Sequence, residues 1–132
     1  MKRLLFACFL LTATCSVSLV PTTASAQTTP PPVVTLAAFT AKVNQMDALI
    51  GTGDMTGAQA KWQEVHTMMM NVLATSKYSI YTAATTADKD AHIAILVNQR
   101  NKYAEIWALK PDLAANRTAI HTKLGEFGAL IY

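Results

Sequence analysis

The chain has 132 residues, with 11 Lys and Arg against 8 Asp and Glu, and 52% of it is hydrophobic. Lys2, Arg3 and both cysteines, Cys8 and Cys15, fall in the first 26 residues, so the remaining 106 carry a net charge of +1 and no thiol. That remainder is the size of one domain. It excludes disulfides, thiolate metal sites and a Cys nucleophile, and gives no electrostatic case for nucleic acid.

Lys2 and Arg3 lead into an apolar run from Leu4 to Leu11, with a weaker one continuing to Val20. Ala24-Ser25-Ala26 then supplies small residues at −3 and −1 of a cleavage site. This layout predicts a cleavable secretory signal peptide over 1–26, cut before Gln27. The mature protein is expected to be exported, to a periplasm or beyond. A lipid anchor at Cys15 is disfavoured, because Thr12 and Thr14 stand where a lipobox takes Leu and a small residue. After the leader no long uncharged apolar run occurs, so no transmembrane segment is expected. Residues 27–34 form a Pro/Thr-rich tether, and Pro30-Pro31-Pro32 favours extended polyproline II.

The first helix is expected over 36–50. Thr35 is a suitable N-cap, and Val34 with Phe39 fits a hydrophobic staple. Leu36, Phe39, Val43, Met46 and Ile50 recur at 3,4,3,4 spacing, one face of a helix. Gly51-Thr52-Gly53 ends it. The second helix is expected from Asp54, its N-cap, to about Ala83. Ala58, Trp62, Val65, Met69 and Val72 make its stripe, with His66, Leu73 and Ile80 widening it on one side.

The third helix is expected to start between Thr86 and Asp88 and to stop near Leu109, ahead of Pro111. Ile93, Leu96, Val97, Tyr103 and Trp107 mark its expected buried side, which Arg100 interrupts. Pro111 suits the first position of a fourth helix running to about Leu130. Leu113, Ile120, Leu124, Phe127 and Ile131 form its stripe, with Arg117 at the remaining seam position and Gly125 and Gly128 suited to close helix approach. The predicted class is therefore all-α: a small antiparallel up-down-up-down four-helix bundle over 35–132. A three-helix core with a short extra helix is the alternative.

Three constellations bear on chemistry. His66 faces Met69 and Met70 at i+3 and i+4, an imidazole and thioether set suited to a soft metal such as Cu(I) or Ag(I). The spacing resembles that of periplasmic silver- and copper-binding peptides, over His66 to Met70 alone. A non-covalent haem b in a four-helix bundle would take axial ligands from the first and last helices, here Met46 and His121. No CxxCH occurs, which excludes covalent attachment. Tyr78, Tyr81, Tyr103 and Trp107 offer material for an aromatic patch. No HExxH, paired carboxylates, GxSxG elbow or phosphate loop is present, so no enzyme is expected.

The sequence thus favours a small exported helical protein with a non-enzymatic binding or structural role. A homodimer or a protein partner's helix is the expected occupant of unused stripes, with Trp62 and Met68 as adaptable contacts. A soft-metal or haem carrier is the alternative.

Overall fold

Four α-helices and one 3-10 turn follow one another in the computed structural model, which describes residues 29–132. The expected signal peptide, its expected cleavage site before Gln27 and both cysteines lie outside the described residues. Helix α1 spans Leu36–Thr52, α2 Met55–Thr82, α3 Thr86–Leu109 and α4 Arg117–Gly128, with the 3-10 turn at Lys110–Asp112. Helix α1 packs on α2, α2 on α3, α3 on α4, and α4 back on α1. This is a small all-α bundle closed into a ring. None of the described helices is long and apolar enough to cross a membrane.

Side-chain caps set the helix starts. Thr35 Oγ1 accepts from the Ala38 N–H at 3.2 Å, and Asp54 Oδ1 accepts from the Gly57 N–H at 2.9 Å. Thr85 Oγ1 accepts from the Asp88 N–H at 3.1 Å and opens α3. Helix α1 runs through Gly51 and Thr52 and ends on Gly53, whose φ of 80° lies in the left-handed region. Its N–H donates back to Ile50 O at 3.1 Å, so a two-residue turn reverses the chain into α2.

Phe39, Val43, Met46 and Ile50 of α1 are buried as their spacing predicts, as are Ala58, Trp62, Val65, Met69 and Val72 of α2. Leu36, expected in the same stripe, is half exposed at the mouth of the bundle. Val34 packs against this core, consistent with the staple to Phe39. Ile120, Leu124 and Phe127 of α4 complete it, with Leu113 from the preceding turn. Gly128 lies so close to α1 that a Cβ there would stand 3.2 Å from Leu36 Cδ1 and 3.4 Å from Phe39 Cδ1. Gly125, expected to serve the same purpose, faces open space.

One further boundary differs from expectation. The fourth helix starts at Arg117, not at Pro111. Pro111 is the second residue of a turn, but a 3-10 one. Asp112 Oδ1 takes the Ala115 N–H at 2.8 Å, and Asn116 Nδ2 donates to Leu109 O at 2.9 Å. These short side chains bind the backbone in competition with an α-helix and delay it by a turn and a half. Leu113 is still buried by this irregular segment.

The larger difference is in α3. Its buried residues are Gln99 and Ile106, seven apart, and not the apolar set Ile93, Leu96, Val97, Tyr103 and Trp107. Ile93, Val97 and Trp107 are 41%, 50% and 45% exposed, and Leu96 and Tyr103 are half-buried. A polar anchor explains the rotation. Gln99 Oε1 accepts from Ser76 Oγ at 2.7 Å, and Gln99 Nε2 donates to Leu130 O at 3.0 Å. Tyr132 OH lies 3.3 Å from Ser76 Oγ and joins the network. Helix α3 therefore turns a glutamine inward and carries its more apolar stripe outside.

Ion pairs link three of the four sides of the ring. Lys42 of α1 bonds Glu64 of α2, which also holds Lys61. Lys102 and Lys123 clasp Glu126 and Glu105 between α3 and α4. Arg117 of α4 grips Asp47 of α1 with two hydrogen bonds, Nε to Oδ1 at 2.8 Å and an NH2 nitrogen to Oδ2 at 2.7 Å. The Arg117 guanidinium holds the Asp47 carboxyl below the usual carboxylate range. Lys42 does the same for Glu64, Lys123 for Glu105 and Lys102 for Glu126. A carboxyl whose folded pKa lies below its unfolded value stabilises the fold above the unfolded value, about 4, and loses that contribution as pH falls through the folded one. The melting temperature is thus expected to hold from neutral pH to about 5 and to fall steadily below about 4. Thermal melts across this range check it, and an unchanged melting temperature at about pH 3 contradicts it.

Candidate functional site

The fourth side of the ring, between α2 and α3, is built differently. Among the described residues no ion pair crosses it. Two polar contacts do: the buried Ser76–Gln99 bond, and His66 Nε2 at 3.0 Å from Tyr103 OH. Around the second contact four rings gather. Tyr103 and Trp107, one turn apart on α3, stack with centroids 5.9 Å apart at 18°. From α2, His66 lies 5.2 Å from the Trp107 ring and Trp62 lies 6.4 Å from it. Lys110 Nζ sits 5.4 Å above Trp107. The aromatic patch considered from the sequence is thus partly assembled, by Tyr103 and Trp107 with partners from α2.

Beyond the rings, α2 and α3 leave a trough between them of about 530 Å³. Leu73, Ala74, Ile80 and Leu96 line it, and Met70 and Tyr81 lie along it on α2. Lys77 from α2 and Arg100 from α3 are the charged groups in its lining. On its α3 side the trough meets the outward stripe Ile93, Val97, Arg100, Ala104 and Trp107. That stripe has 4,3,4,3 spacing, the pattern of a coiled-coil seam, on the outer surface of a helix.

This side also reaches past the rest of the bundle. At 1.5 Å per residue α2 is about 42 Å long and α1 about 26 Å. The last fully buried residue of α2 is Ser76 and the first of α3 is Gln99. Residues 77–98 therefore form a two-helix projection without a fully buried residue.

Family models, curated proteins and solved structures give no match to this chain. The site must therefore be judged on its own geometry.

The helix distributes the expected ligand residues in different directions. His66 points to α3 and its Nε2 is engaged by Tyr103. Met69 is fully buried in the core, whereas Met70 is 46% exposed and lines the trough. Met46 is buried in α1, whereas His121 is exposed on α4 with Nε2 3.4 Å from Asn44 Oδ1. Among the described residues no group of three or more His, Cys, Asp or Glu is placed to hold a metal ion. Trp62, expected as a partner contact, is 1% exposed and belongs to the core, and Met68 is half-buried against that core. Ile93 and Val97, expected on the buried side of α3, are exposed instead. Their periodicity is legible in the sequence, but it does not tell which side of α3 faces the core.

Proposed function

We propose that this chain is an exported, non-enzymatic binding protein that presents the outer α2–α3 face to a helix of a partner. The observation that carries this reading is the exposed 4,3,4,3 stripe on α3. Seven-residue periodicity in apolar positions is what a helix needs in order to accept another helix. A two-helix trough beside it supplies the groove in which such a helix is held. Met70 and the Trp107 ring add adaptable and rigid apolar area. Export is supported by the leader over residues 1–26.

A photo-crosslinking residue at position 97, in a Gram-negative host exporting the chain, tests the reading. A discrete adduct is expected from position 97 and none from position 45, which is exposed on α1. Equal labelling from both positions, or none from position 97, contradicts it.

A further inference from the structure

Resting on that docking reading, we infer that the helix received by the α2–α3 trough is acidic, with a carboxylate on each side of its apolar seam. The trough is the side of the bundle where cations stand without acids. Lys77 and Arg100 line it, and Lys110 stands above Trp107 at one end. None of the three has an acidic partner among the described residues, whereas each of the other sides pairs its cations across helices.

The acids of the chain are largely committed elsewhere. Asp47, Glu64, Glu105 and Glu126 sit in the ion pairs, and Asp54 and Asp112 cap backbone N–H groups. Asp88 takes the Thr85 hydroxyl at 2.7 Å. Asp90 is exposed in the first turns of α3, at the far tip. Cations on the two walls of an apolar trough are complementary to acids at the flanking positions of an incoming helix, and such pairs set partner choice and orientation.

The register places the two cations opposite each other. Ser76 touches Gln99 across the antiparallel pair, and Lys77 and Arg100 are their next neighbours. They therefore stand within about one helical turn on facing walls, and a helix between them meets a positive charge on both flanks. A second copy of this face would bring Lys77 and Arg100 against their own kind, which argues against self-association here. A bilayer is also disfavoured, since Leu73 and Leu96 lie in a concave trough between two walls, where a flat surface does not reach.

The test uses two synthetic amphipathic helices of about three heptads with the same Leu seam, one flanked by Glu and the other by Lys. Binding to the purified protein is read by fluorescence anisotropy at low salt and at about 0.5 M salt. The acidic helix is expected to bind roughly tenfold more tightly at low salt, with the gap closing at high salt. Reversal of the wall charges in the double variant Lys77→Glu, Arg100→Glu is expected to invert the order. Lys77, Val97 and Arg100 are all exposed, and circular dichroism verifies that their variants stay helical. Equal affinity for the two helices, both lost in Val97→Asp, overturns the acidic partner and leaves the docking reading standing. Failure of both helices to bind the folded protein overturns both readings. Capture by phosphatidylglycerol vesicles in preference to the acidic helix, or a dimer dissociated by Val97→Asp, overturns the inference by supplying another occupant.

Discussion

Trp62→Ala is expected to remove about 3–5 kcal/mol of folding stability, the largest effect of any single substitution in the core. Trp62 of α2 is 1% exposed, with the Trp107 ring of α3 6.4 Å away and the segment carrying Leu113 beside it. Truncating it strips apolar contact and leaves a void that the surrounding side chains fill only in part. A domain of this size is commonly stable by about 5–15 kcal/mol, so the loss is a large fraction of the whole. Trp107→Ala is the internal control. Its ring is half exposed and stacked on Tyr103, so its loss is expected to cost about 1 kcal/mol or less. Urea unfolding followed by circular dichroism compares the two, and similar midpoints would contradict the placement of Trp62.

Gln99→Met is expected to cost about 1–3 kcal/mol although it replaces a polar residue with an apolar one of similar size. The cost arises from what remains. Ser76 Oγ loses its acceptor inside the core, and Leu130 O loses the amide that fastens the last residues to α3. The double variant Ser76→Ala, Gln99→Met removes the stranded hydroxyl and is expected to recover part of that loss. A double variant no more stable than Gln99→Met shows that the cost does not come from Ser76. The network therefore sets how α3 is rotated, at some expense in the stability an all-apolar seam would give.

This rotation also marks what could be read in the chain beforehand. The four helices, the N-caps at Thr35 and Asp54, and the stripes of α1, α2 and α4 follow from local pattern, because one face of each is clearly more apolar than the rest. Helix α3 has two faces that compete. Periodicity favours Ile93, Val97 and Trp107 for the interior, and only the partners of Gln99, at Ser76 and Leu130, decide otherwise. Those partners are 23 and 31 residues away and invisible to any local window. The start of α4 is missed for a related reason, since Asp112 and Asn116 spend their side chains on the backbone. The proposed docking face is consequently legible in the sequence as an apolar stripe, with its orientation reversed.

The Ser76–Gln99 contact also divides the protein by how readily its parts open. Amides of α2 between Ala58 and Val72 sit over the closed core and exchange with solvent only when the whole chain unfolds. Amides in residues 77–98, beyond the last buried pair, need only a local opening of two helices. The same segment supplies Lys77, Ile80, Tyr81 and Leu96 to the trough, and Ile93 and Val97 to the exposed stripe beside it. A bound helix would thus settle on the part of the fold that is cheapest to loosen, and part of its binding free energy would go into holding that projection closed.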